Sequence, residues 1–260
     1  NLNIEKFEEA DGTLFKVDAD ELLGEAAEPL LKLAKLSDAT IKDISVGRDL
    51  MEEASNRTIE TEALCDLIVA QPVTDDHRLK GFPFEDWEQR RHTVLDSPEL
   101  RTARDLLKLM KATHLPIAFP EVFLGSARGF QVILGNPPWE EAVVTEDKFW
   151  ARHKPGLASL LAREQELEKD KLRESRPDLV SELHSELEAA ELLRKFLHSG
   201  NFPGMGTGDP DLYKAFAWRF WFASSREFGR LGVVLPRSAL AAKGSETFRK
   251  ELFSSVGHIS

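Results

Sequence analysis

The feature that most constrains this chain is a short apolar run that cannot continue. Phe130-Gln131-Val132-Ile133-Leu134 has β-branched residues at its centre and is stopped at once by Gly135-Asn136-Pro137-Pro138-Trp139. Two consecutive prolines fix φ and remove two backbone donors, so no regular ladder extends through them. The run predicts a buried strand ending in a rigid loop. A second run, Arg230-Leu231-Gly232-Val233-Val234-Leu235-Pro236, repeats the design and predicts a second buried strand.

Helical spacing surrounds these runs. In residues 18–71, Leu22-Leu23, Leu30-Leu31, Leu33 and Leu36, then Ile59, Leu64 and Leu67-Ile68, recur with a helical period. Prolines and glycine over residues 72–84 predict a loop. Ser97 followed by Pro98 predicts a capped helix start, with the helix running through Leu106, Leu107 and Met110 to end near His114-Leu115-Pro116. Residues 157–198 are rich in charge, and Leu179, Leu183, Leu187, Ala190, Leu193 and Leu197 keep a 3-4 spacing after Pro177. They predict a helical hairpin inserted between the strands; a DNA-spanning or dimerising coiled coil is the alternative. A glycine-rich loop over 200–208 precedes an aromatic helix over 211–226, in which Phe216, Trp218, Phe220, Trp221 and Phe222 are expected in the core. A helix over 239–253 and a further strand beginning at Val256 complete an alternation of strands and helices, which predicts an α/β chain with a parallel sheet.

No run approaches the ~18 apolar residues of a membrane span, and the first residues lack the basic and apolar regions of a leader. A cytoplasmic protein is expected. The chain opens on Asn rather than Met, which reads as an excerpt of a longer polypeptide. The single cysteine, Cys65, excludes an internal disulfide and a cysteine-based zinc site, and its expected role is a small core residue. The seven histidines form no pair at metal-ligand spacing, so no metal site is expected. The net charge is -11, unlike a nucleic-acid binder, but residues 201–260 hold eight Lys and Arg against five Asp and Glu, leaving the deficit in residues 1–200. A basic segment on an acidic body is compatible with a DNA-facing edge, and equally with chance.

The chemistry is carried by Asn136-Pro137-Pro138-Trp139, placed where open α/β sheets bind ligands, at the carboxyl end of a strand. Asn136 offers an amide oxygen and Pro137 a carbonyl, both in a segment stiffened by consecutive pyrrolidine rings. A planar exocyclic amine such as adenine N6 has two hydrogens to donate to two such acceptors while its ring stacks on Trp139. The plain alternative is an Asn-Pro-Pro turn after a strand.

Three segments set this motif in a family context: Phe119-Pro120-Glu121-Val122-Phe123 with Gly129-Phe130; Ser199-Gly200-Asn201-Phe202-Pro203 and Gly206-Thr207-Gly208-Asp209 before Leu212-Tyr213; and Gly229-Arg230-Leu231-Gly232-Val233-Val234-Leu235-Pro236 with Ser238. On these segments, residues 115–260 resemble the DNA adenine-N6 methyltransferases of type IIG restriction–modification enzymes and BREX-like phage-defence systems. The helical stretch 1–110 is similar to an insertion of the same family.

The resemblance implies a partial Rossmann-like methyltransferase domain with large helical insertions. Residues 1–114 would form a helical insertion or linker, and 115–260 the C-terminal half of the catalytic domain, itself carrying an insertion at about 150–199. It implies methyl transfer from S-adenosylmethionine to adenine N6 of a flipped base in double-stranded DNA, in restriction–modification or phage defence. Asn136, Pro137, Pro138 and Trp139 would form the catalytic motif. Tyr213 would pack near the base pocket or simply in the core. Arg237 and Lys243 would contact phosphate or remain solvated. The family's glycine-rich cofactor loop has no counterpart here, which places it on preceding sequence of the parent polypeptide and makes the isolated chain inactive by expectation. Gln131 departs from the family's usual Asp, and no nuclease motif is present. Two alternatives stand beside this reading: a methyltransferase acting on a protein or RNA amide or amine nitrogen, and a non-catalytic DNA-binding or assembly module.

Overall fold

A computed structural model describes residues 40–123, 127–206 and 210–255, with positions 29, 32, 35 and 36. The expected helical repeat before residue 40 and the strand expected from Val256 lie outside the described residues, apart from those isolated positions. The chain is mostly helical, with one small parallel sheet of two strands. No described helix is long and apolar enough to cross a membrane.

Helix α1 (Ile41–Ala70) starts at Thr40, whose hydroxyl accepts from Asp43 N at 3.1 Å, and stops before Pro72. Only its second half is apolar on one face, and there Leu64 and Leu67 are buried while Ile41 is 88% exposed. After α2 (His77–Lys80) and α3 (Trp87–Val94), helix α4 (Pro98–Met110) begins as its sequence predicts, with Ser97 Oγ accepting from Leu100 N at 3.1 Å. Leu100, Ala103 and Leu107 of α4 close a core with Leu64, Leu67, Leu79 and Trp87. The helix ends sooner than predicted. Lys111 turns into the left-handed region at φ 51°, and Ala112 N bonds Leu107 O at 3.1 Å, a closure that stops α4 four residues before Leu115. Pro116 instead lies in the first turn of α5 (Leu115–Ala118), where its missing N–H costs nothing, and α6 (Pro120–Phe123) follows.

Strand β1 (Val132–Gly135) pairs in parallel with β2 (Arg230–Val233), Val132 opposite Arg230 and Gly135 opposite Val233. The expectation of buried strands needs correction. Val132 is 61% and Leu134 79% exposed, while Ile133 and Leu231 turn inward. A parallel sheet is buried on both faces only where elements cover both. Here α10 (Leu212–Ala223) covers one face, Phe220 lying under Gly135.

Between the strands run α7 (Glu146–His153), α8 (Ala162–Ser175) and α9 (Pro177–Leu197), with Pro177 opening α9 as the sequence predicts. Leu179 and Leu183 pack on Phe149, Trp150 and Leu157, whereas Leu187 is 38% exposed, so the leucine stripe is not one continuous seam. Lys169 is held by Asp147 and Glu166, and Arg173 reaches Glu146 at 2.6 Å, tying α8 to α7. Helix α9 packs on α4, so the inserted hairpin leans on the first helical region.

Past β2, the single helix expected over 239–253 is two, α11 (Arg237–Ala241) and α12 (Glu246–Ser255), joined by a turn over Lys243–Ser245. Gly244 weakens a continuous helix, and Arg249 Nη1 caps the end of α11 by donating to Ala242 O at 2.7 Å. Trp218 is buried at the centre of this end of the molecule against Phe248, but Phe216, expected in the core, is 39% exposed. It lies on the face of α10 that follows Phe220, with the two rings edge-on at 5.8 Å.

Candidate active site

The strand ladder extends one step beyond both strands, because Val234 N donates to Gly135 O at 3.0 Å. The chain 136–139 therefore departs from the carboxyl ends of two paired strands, the position anticipated from the sequence. Gly135 rests directly on a ring, for a Cβ built on it would lie 2.8 Å from Phe220 Cε2. Pro137 is buried and anchors the loop, while Asn136 and Pro138 are exposed. Trp139 is 50% exposed, and its indole N–H donates to Val234 O at 3.4 Å, a long bond that still lays the side chain over the end of β2. After it, Leu212 N bonds Glu140 O and Ala142 N bonds Pro210 O, each at 2.9 Å, pinning the far side of the loop to the start of α10. The motif is thus held at both ends with its amide and half of its indole open to solvent.

Arg237 opens α11 directly after β2, and Lys243 opens the following turn. Both are exposed, and neither side chain makes an ion pair or hydrogen bond among the described residues. Tyr213, next to the Leu212 that pins the loop, turns inward. It is 2% exposed, its ring meets Phe248 edge-on, and its hydroxyl lies 3.2 Å from Ser245 Oγ. That side chain joins α10 to the turn before α12. Beside it, buried Lys214 pairs with Asp211 at 2.9 Å in the first turn of α10.

The sequence contains no signal for Val234 as the acceptor that holds Trp139, since a main-chain carbonyl has no residue signature. Phe220 was visible only as one ring of an aromatic stripe, with nothing to mark it as the support of Gly135.

Nothing in the described residues cradles S-adenosylmethionine. Gly129, Gly135, Gly204, Gly229 and Gly232 are each packed so closely by the chain's own atoms that a Cβ would come within 2.9 Å of them, and Gly156, Gly200, Gly206 and Gly244 are open but scattered through loops. Glycines serve a nucleotide cofactor when they follow a strand and leave room for it, and these do not. Among the described residues no three His, Cys, Asp or Glu side chains gather as a possible metal-ligand set. Cys65 is partly buried in α1, where burial, then the charges of Asp66 and Glu62, push its thiol up to about 12. No family model, curated protein or solved structure matches this chain.

Proposed function

We propose that this chain carries the target-base site of a DNA adenine-N6 methyltransferase of the restriction–modification or phage-defence kind, working in the cytoplasm. The observation that supports it best is the placement of Asn136-Pro137-Pro138-Trp139 at the carboxyl ends of two paired parallel strands, with Asn136 and Trp139 open to solvent. The alternation of these strands with helices is read as part of a Rossmann-like domain.

On this reading a flipped adenine stacks on Trp139 and donates its two N6 hydrogens to Asn136 Oδ1 and the Pro137 carbonyl. Holding both hydrogens draws electron density back toward N6, which sharpens it as a nucleophile; Pro138 keeps the two acceptors in fixed relation. Arg237 and Lys243, exposed in the segments that follow β2 and without an ion pair among the described residues, take phosphates flanking the flipped base. S-adenosylmethionine is the methyl donor of the proposed reaction.

The test is methylation-sensitive sequencing of DNA from cells expressing the full-length protein or its Asn136→Ala variant. N6-methyladenine at one short motif, falling by about 100-fold or more in the variant, is the expected result. Unmodified DNA from a folded, expressed parent protein would overturn the reading in favour of another amine or amide acceptor, or of a non-catalytic DNA-binding module.

A further inference from the structure

Two residues outside the Asn-Pro-Pro-Trp motif control where it stands. We infer that Val234, through its backbone carbonyl, and Phe220, through its ring, are positioning residues for the base-binding motif: the first orients the indole of Trp139 and the second sets the height of the loop that carries Asn136. The inference rests on the proposed reading of the motif as a base-binding site.

A half-exposed tryptophan ordinarily samples several rotamers and must be ordered when a ring stacks on it. Among the described residues Trp139 has one polar tether, the 3.4 Å bond from its indole N–H to Val234 O. Val234 is itself fixed, because its N–H donates to Gly135 O at 3.0 Å, so the acceptor for the indole belongs to the same ladder that launches the motif. The stacking platform is thereby referenced to the strand end from which Asn136 departs.

The second support lies beneath. Ring atoms Cε2 and Cζ of Phe220 come within 2.8 and 2.9 Å of the place a Cβ would occupy on Gly135, and Phe216 backs that ring edge-on at 5.8 Å. Gly135 is the last residue of β1 and the immediate neighbour of Asn136. Removing the ring leaves the strand end free to settle toward α10, carrying both acceptors with it. Neither Val234 nor Phe220 touches the base; each acts through the motif.

The test uses the full parent protein with Trp139 replaced by β-(3-benzothienyl)alanine, which keeps a bicyclic ring of the same shape and deletes only the N–H, and separately a Phe220→Leu variant. Three quantities are measured: kcat and KM on target DNA, fluorescence of 2-aminopurine at the target base, and the ¹⁹F resonance of 5-fluorotryptophan at position 139, the last in the parent protein and in Phe220→Leu. Both variants should lose ~3–10-fold in kcat with KM nearly unchanged, because displacement of a reacting geometry weakens the chemical step more than phosphate-driven binding. The 2-aminopurine signal should change with them, and the ¹⁹F line should shift or broaden in Phe220→Leu. Unchanged kcat and base fluorescence in both variants of an enzyme that methylates would overturn the inference. If the parent protein does not methylate DNA, the base-binding reading falls separately. The ¹⁹F line then decides positioning alone: its disturbance by Phe220→Leu supports the role of that ring in setting the motif and its indifference refutes it. Because the benzothienyl substitution lies on a half-exposed side chain, it keeps the test decisive should Phe220→Leu fail to fold.

Discussion

At the scale of single residues, the sequence exposes chemistry where a side chain carries it and hides chemistry carried by the backbone or by surroundings. The place of residues 136–139 at a strand end was legible because two prolines after an apolar run admit few structures. Val234 was not, since any residue brings the same carbonyl. Cys65 shows the effect of surroundings. Its thiol is pushed up to about 12 by burial and by the neighbouring carboxylates Asp66 and Glu62, so the folded chain favours the neutral form. The native thiol should therefore react with iodoacetamide at pH 8.5 far more slowly than the same thiol in urea, because the thiolate is the nucleophile. Equal alkylation rates in the two conditions would show that the thiol is not suppressed. The linkage has a definite sign: a thiol whose pKa is raised on folding contributes stability that is complete below about 9, its ordinary value, and is lost as pH rises toward 12. Compared with Cys65→Ala, the native protein should lose extra stability only in that alkaline window, as measured by urea unfolding at a series of pH values.

At the scale of elements, caps and stops read well and long-range placement does not. Ser97 followed by Pro98 announced the start of α4, and Ser97 Oγ accepts from Leu100 N as a cap should. Replacing Ser97 by Ala should cost about 1 kcal/mol, since it orphans a backbone donor at the head of a helix whose Leu100 and Leu107 lie in the core. Thermal unfolding followed by circular dichroism measures this, and an unchanged midpoint would show that water replaces the cap at no cost. Pro177 likewise marked the break between α8 and α9. The errors have a common origin. The premature end of α4 at Lys111 requires a non-glycine residue in the left-handed region, which local propensity disfavours. The split of the last helix depends on Arg249 reaching back to the carbonyls of Ala239 and Ala242, and on Tyr213 bonding Ser245, the second a contact between elements distant in sequence. The exposure of Val132 and Leu134 depends on what covers the sheet, which the apolar character of the strand alone does not specify. Leu134 lies instead across Gly232, its Cδ2 2.6 Å from where a Cβ would be.

At the scale of the whole molecule two surfaces lend themselves to test. The outer face of the sheet, with Val132, Leu134 and Val234 exposed, is apolar on a chain whose net charge is -11. Contiguous apolar surface of this kind binds hydrophobic dyes. Leu134→Lys should lower 1-anilinonaphthalene-8-sulfonate fluorescence of the chain while leaving its melting temperature nearly unchanged, because the side chain is 79% exposed and little packing is lost. Undiminished dye binding would mean that the dye reports some other surface. The second surface is the cationic edge at Arg237 and Lys243. An acidic body repels DNA at long range, so on the proposed reading any binding through Arg237 and Lys243 rests on local contacts, and such contacts leave a measurable trace in salt. Each cation seated on a duplex phosphate releases condensed counterions and contributes about -0.9 to the slope of log K against log salt. If both seat on phosphates, the Arg237→Gln, Lys243→Gln pair should flatten the slope of the unsubstituted protein by about 2 and weaken binding alike on target and unrelated sequences. On the same reading Asn136→Ala should leave the slope unchanged, since the contact proposed for it is to the base rather than to phosphate. A charge-neutralised protein that retains the parent slope would place the DNA backbone on some other surface, and would separate the phosphate assignment from that of the Asn-Pro-Pro-Trp motif.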